Sequence, residues 1–297
     1  MDSSPSPETQ PASPALIGAL AGRVPPLGYF MVSAVFHYLG PSFAVLLFAR
    51  IEVLGVAWLR VATAAVIFGL SRRAWRFWFR ATRAQRLTVL ALGLVLAAMN
   101  GFFYLAIDRL PLGTVGAIEF IGPIALAAIG MRTARNLLAL GLAVAGVAIL
   151  TDIRLAGEPL GYLFAFANAG LFLLYILLGH RIAASGGAAG IERLGAAMGV
   201  ALVVITPFGI GAAWPAFGDP LLLLAGAGVG IASSVVPYIC DQLAMARLSR
   251  AHFALLLSVL PAMASLIGFV VLRQIPSLAE LFGIGLVAAG VALRRES

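Results

Sequence analysis

Long apolar runs, broken by short polar or Pro/Gly punctuation, dominate this chain. They cover the stretches near 27–48, 55–71, 87–107, 112–131, 136–151, 160–180, 192–211, 220–244, 252–272 and 279–294. Roughly 20 apolar residues in helix cross a hydrocarbon core of about 30 Å. The runs are continuous, without the in–out alternation over about ten residues that a lipid-embedded barrel strand shows. The pattern predicts an all-α membrane protein with ten transmembrane helices. Residues 1–26, rich in Pro, Ser and Thr at their start, lack the basic opening of a secretory signal peptide and are read as a disordered cytoplasmic tail.

Composition sharpens this picture. The chain is 62% hydrophobic and 11% charged, with a mean hydropathy of +1.03, against about 45–50% apolar and about 25% charged in soluble domains. Its net charge of +8 comes from 20 basic residues, all of them Arg. With both termini in the cytoplasm, only Arg50, Arg60, Arg109, Arg154 and Arg273 fall on the outer side. That bias follows the positive-inside rule for short loops, so the excess charge reports topology and attraction to anionic lipid rather than nucleic acid. The cluster Arg72-Arg73-Ala74-Trp75-Arg76-Phe77-Trp78 is read as an interfacial anchor. Cys240 is the single cysteine and lies inside the eighth run, which leaves no disulfide framework and no metal spacing.

The chain also repeats itself. Ala106, Arg109, Leu110 and Pro123 recur as Ala244, Arg247, Leu248 and Pro261, 138 positions later. Leu137, Gly141, Leu142, Ala145, Gly146, Val147 and Ala148 recur in register as Leu281, Gly285, Leu286, Ala289, Gly290, Val291 and Ala292. Residues 27–151 and 152–297 are therefore read as two five-helix repeats. Five is odd, so the second repeat enters the membrane from the opposite side, giving an inverted repeat. Alternating-access carriers are often built this way, with the site near the midplane where the halves meet; channels and scaffolds can be duplicated too. Gly141, Ala145, Gly285 and Ala289 have small-xxx-small spacing, read as helix packing or as a dimer face, which leaves monomer and homodimer both open.

Ionisable groups inside a membrane usually face a cavity. Glu119 is the leading candidate, about eight residues into the fourth run with Pro123 one turn further on. Ionised, it can accept from a substrate ammonium; protonated, it can take part in proton coupling or simply bond a neighbouring helix. Asn100 and Tyr104 share a face of the third run at i, i+4, as do Ser33 and His37 on the first run, ahead of Pro41. Asn168 and Tyr175 share a face of the sixth. Ser234, Tyr238, Asp241 and Met245 form an interior stripe on the eighth, beside Pro237. For Asp241 a salt bridge to Arg247 or Arg250 is preferred over substrate binding. Pro41, Pro123, Pro237 and Pro261 are candidate kinks at which gates hinge. No zinc-protease, Walker or nucleophile-elbow motif is present, so neither an enzyme activity nor a cofactor or metal is expected.

The run Met99-Asn100 … Phe103-Tyr104-Leu105 … Leu110-Pro111-Leu112-Gly113 … Glu119-Phe120-Ile121-Gly122-Pro123, followed by Pro237-Tyr238 … Ala244-Met245-Ala246-Arg247-Leu248, resembles the EamA-type drug/metabolite transporters. Within these it is most similar to bacterial amino-acid exporters of the threonine/homoserine and aromatic kinds. It departs from them at Ser249-Arg250-Ala251-His252 and at Leu257-Ser258-Val259-Leu260-Pro261, which lacks the Glu that often precedes this proline. The resemblance implies two inverted five-helix repeats round a central cavity, and export of amino acids across a bacterial inner membrane. The substrate ammonium is then expected at Glu119 and Asn100, and its carboxylate at His37, Tyr104, Tyr238 or Asn168. Export of another metabolite or of a lipophilic cation is the alternative.

Overall fold

The computed structural model describes residues 24–72, 74–120, 122, 133–151, 158–273, 275 and 277–293, so the proposed tail lies largely outside the described residues. Helices α1 (Pro26–Leu47), α2 (Val53–Arg72), α3 (Arg83–Ile107), α4 (Leu112–Glu119) and α5 (Ala134–Thr151) occupy the first half. Helices α6 (Pro159–Ala183), α7 (Gly187–Phe217) and α8 (Pro220–Met245) follow. Then come α9, which joins Arg250–Leu256 to Leu260–Leu272 through a 3₁₀ turn, and α10 (Leu278–Leu293). Among the described residues there is no strand.

Six of these helices, α1, α2, α3, α6, α7 and α8, are long and apolar enough to cross a membrane, and shorter apolar segments lie at Leu137–Gly146 and Ala262–Leu272. Their ends follow local chemistry. Proline opens α1, α6 and α8, where its missing N–H costs nothing. Thr82 and Gln85 form a reciprocal capping box at the start of α3, and Asp219 caps α8 by accepting from the backbone N–H groups of Leu221 and Leu222.

Extensive packing joins α2 to α7, α5 to α10, α3 to α6 and α3 to α7. Helix α1 lies against α8 and α9, α8 against α2, and α4 against α6 and α9. Leu70, Val203, Leu224 and Val270 point outward, as lipid-facing side chains do. Gly141, Ala145, Gly285 and Ala289 are also exposed, while Gly146, Gly283 and Gly290 are buried. The small-residue spacing read from the sequence thus lies on an outward face and not in the α5–α10 contact.

Helix α8 is interrupted. Ile231–Val235 forms a π-helical turn that ends two residues before Pro237, a distortion frequent at functional sites. Two glycines let other helices close on it. A Cβ on Gly40 of α1 would collide with Ser233 Cβ, and one on Gly230 would stand 2.6 Å from Thr63 Cβ and 3.0 Å from the Arg60 carbonyl. Gly40→Ala is expected to cost about 1–3 kcal/mol through overpacking. Gly101→Ala, with nothing within 4 Å of the added carbon, should be close to neutral. Thermal unfolding of the two variants in detergent compares them directly.

Candidate functional site

Arg60 sits in the N-terminal half of α2 yet is only 4% exposed, surrounded by protein. This corrects the expectation that it is a loop charge on the outer side. Its Nε donates to Ser234 Oγ at 2.7 Å and its Nη2 to the Ser233 carbonyl at 2.6 Å. Pro237 explains why that carbonyl is available: it has no N–H to return to the residue four places back. The guanidinium also lies 5.4 Å from the Tyr104 ring centroid and 6.0 Å from that of Tyr238, in cation–π contact with both.

Glu119 ends α4 and is 2% exposed. Asn168 Nδ2 of α6 donates to its Oε1 at 3.0 Å, and the Tyr38 hydroxyl of α1 donates to Oε2 at 3.4 Å. Arg60 and Glu119 line one cavity, together with His37, Asn100, Asn168, Tyr238 and the apolar Met99 and Phe103. The space these side chains frame, its open part included, sums to about 240 Å³, and its enclosed centre holds about one water molecule. The two opposite charges face this space and do not pair: among the described residues the ion pairs are Arg50–Asp219 and Arg109–Asp108. Among the described residues Asn168 Oδ1 has no hydrogen-bond partner, which makes it an acceptor beside Glu119.

A second buried carboxylate lies further along α8. Asp241 is 2% exposed; its Oδ1 accepts from Ser33 Oγ of α1 at 2.5 Å, and its Oδ2 from the Tyr175 hydroxyl of α6 at 2.9 Å. The expected salt bridge to Arg247 or Arg250 is not formed; Arg247 instead donates to the Val24 carbonyl.

The structure therefore brings Glu119, Asn100, His37, Tyr238 and Asn168 together round one cavity. It turns Ser33 and Tyr175 toward Asp241, and sets Tyr104 beneath Arg60. Asn100 Nδ2 is spent on the Leu96 carbonyl, one turn back, so its carbonyl end is the one left for other partners. His37 is held edge-on against Tyr38 and Phe172, with ring centroids at 5.5 and 5.9 Å. Pro41 lies inside α1 and is buried. Pro261 falls at the first turn of the last segment of α9, and Pro123 lies outside the described residues. Sequence reasoning missed Arg60, Tyr38 and the Ser233 carbonyl. Only Arg60 had a readable signal, an arginine within an apolar run.

A bundle of membrane-crossing helices closed round buried, unpaired charges belongs to the transporters, and here to the multi-pass proteins of the bacterial inner membrane. No family model matches the chain, but individual proteins do. It is 32% identical over 244 residues to the threonine/homoserine exporter RhtA of Salmonella typhimurium (strain LT2), covering 79% of each chain. It is 30% identical over 269 residues to the threonine/homoserine exporter RhtA of Escherichia coli (strain K12), covering 87% of this chain and 88% of that one. The protein belongs to the RhtA family of EamA-type drug/metabolite exporters. A solved crystal structure shares the fold, with a TM-score of 0.63 at 18% identity over 90% of this chain and 96% of the other.

Proposed function

We propose that this protein exports small neutral amino acids, with threonine and homoserine the first candidates, from cytoplasm to periplasm by alternating access. One observation carries the reading: Arg60 and Glu119 line the same buried cavity and are not paired with each other. Separate buried opposite charges are costly to maintain, and a zwitterion bound between them compensates both. The substrate carboxylate takes the guanidinium, whose fork suits it, while the ammonium takes Glu119 and the free Asn168 oxygen. His37, Tyr238 and Asn100 remain for a side-chain hydroxyl. This moves the carboxylate-binding role from the expected tyrosine, histidine and amide donors to Arg60.

Several features support two inverted repeats of five helices. Exchanging each helix with the one five places along converts α3–α6 packing into α8–α1, α7–α3 into α2–α8, and α9–α1 into α4–α6. It leaves α2–α7, α4–α9 and α5–α10 as self-related pairs. Removing Arg60 from the loops leaves fewer outer arginines, which strengthens the case for cytoplasmic termini. The cavity is too narrow for an amino acid, so binding requires it to open toward one side. Its arginine disfavours a lipophilic cation.

Counterflow in proteoliposomes tests this. Labelled threonine should accumulate against internal threonine, and free threonine and homoserine should compete. Threonine methyl ester, without the carboxylate, and 2,3-dihydroxybutyrate, without the ammonium, should compete at least about tenfold less well, one lost charged hydrogen-bonding group being worth about 1.5–3 kcal/mol. Competition by a lipophilic cation but not by threonine would favour the alternative substrate class.

A further inference from the structure

We propose that Asp241 is a proton-exchange site, separate from the amino-acid cavity, whose proton drives export. The proposal rests on the carrier reading above and adds to it the coupling ion and its seat. In the cavity Arg60 offsets Glu119, and a zwitterion adds no net charge. Asp241 is left over: a carboxylate buried in a membrane-crossing helix, with no cation within ion-pair distance among the described residues. A proton is the smallest partner that neutralises it.

The groups round Asp241 suit both of its protonation states. Ionised, it accepts from Ser33 Oγ and from Tyr175. On protonation an O–H bond forms at Oδ1 and can be donated to Ser33 Oγ. The Ser33 hydroxyl then turns its own hydrogen to the Pro237 carbonyl, already 3.3 Å away. Glu119 has no such exchange at Oε1, because its partner there is the Asn168 amide N–H, which only donates. Glu119 has one hydroxyl partner, Tyr38, and shares its cavity with Arg60, which offsets its charge; among the described residues Asp241 has hydroxyl partners at both oxygens and no cation to offset it. Ser33 lies on α1 and Tyr175 on α6, so the proton also changes how these two helices are tied to α8.

Some of the other titratable and charged groups on the packed elements have other partners. From α2, Arg60 is turned to Ser234 and the Ser233 carbonyl; from α1, His37 packs edge-on against Tyr38 and Phe172. From α6, His180 bonds the Ile176 carbonyl and Arg181 is exposed; from α7, Arg193 bonds Ser185, next to the partly buried Glu192. On α9, His252 bonds Ser249 and Arg250 is exposed. Tyr238 and Cys240 are the titratable neighbours on α8 itself, and Tyr38 of α1 is bound to Glu119. The cycle balances: one proton from the outer water is taken up by Asp241 and released to the cytoplasm for each zwitterion expelled, so one positive charge moves inward.

Two measurements test this. Infrared difference spectra of the purified protein, with no substrate, should show a carboxylic C=O band that titrates with pH in the wild type and is lost in Asp241→Asn. A band that titrates unchanged in Asp241→Asn overturns the proposal, whatever the substrate proves to be. In proteoliposomes, an inward proton gradient should accelerate threonine efflux by the wild type. Asp241→Asn should keep threonine–threonine exchange at equal pH but lose that acceleration, and Asp241→Glu, which retains a carboxyl, should recover part of it. Acceleration undiminished in Asp241→Asn, or driven by sodium in place of protons, also overturns it. Absence of threonine exchange in the wild type counts against the amino-acid reading alone, because the infrared titration stands independently.

Discussion

Arg60→Gln is expected to weaken threonine binding about 100-fold in counterflow. A glutamine amide can still reach Ser234 or the Ser233 carbonyl, the groups that hold the guanidinium now, but it cannot offer a charged fork to a carboxylate. Charged hydrogen bonds are worth about 1.5–3 kcal/mol each, and about 2.7 kcal/mol corresponds to 100-fold in affinity. Arg60→Lys keeps the charge but has neither the planar fork nor its stacking on Tyr104 and Tyr238. It should recover activity only in part. The readout that separates recognition from folding is the competitor profile. If Arg60 reads the carboxylate, Arg60→Gln loses the preference for threonine over its methyl ester, whereas a structural role would lower both together. An unchanged preference in a folded Arg60→Gln protein removes Arg60 from recognition.

The arginine was legible and was misplaced. Its run, 55–71, reads as a membrane span on apolar content, and a charge inside such a span is a functional candidate in its own right. Counting Arg60 among the outer-side charges leaves out the helical register that carries it into the bundle. Asp241 failed differently. Arg247 and Arg250 are close in sequence, whereas its actual partners Ser33 and Tyr175 lie 208 and 66 positions away, and only the packing of α1 and α6 against α8 brings them there. Helical periodicity placed Ser33 with His37, Asn100 with Tyr104 and Asn168 with Tyr175 on shared faces. Periodicity alone does not set the rotation of a helix about its axis, which decides whether a polar group meets the cavity or a neighbour. Glu119 is a candidate because it is a lone carboxylate inside an apolar run, and the same reasoning applied to Arg60 makes it one too.

Glu119→Gln is the second variant with a large expected effect, and it is most informative when combined with Arg60→Gln. Glutamine is nearly isosteric, and its amide oxygen can keep the bond from Asn168 Nδ2. The loss is therefore mainly the negative charge that receives the substrate ammonium and offsets Arg60. Removing one of two mutually compensating buried charges costs about 3–5 kcal/mol where the pair is in contact. Here the charges are separated by the cavity, so each single variant should lose less, about 1–2 kcal/mol by the distance dependence of Coulomb attraction. The double variant, with neither charge left unopposed, should be more stable than the two single losses added together. Transport should follow the opposite order, about 100-fold weaker in each single variant and without measurable threonine counterflow in the double. A double-mutant cycle on thermal stability and on counterflow measures both quantities in the same proteins. Stabilities that simply add would mean that Arg60 and Glu119 do not sense one another across the cavity, and the zwitterion-binding reading would lose its physical basis.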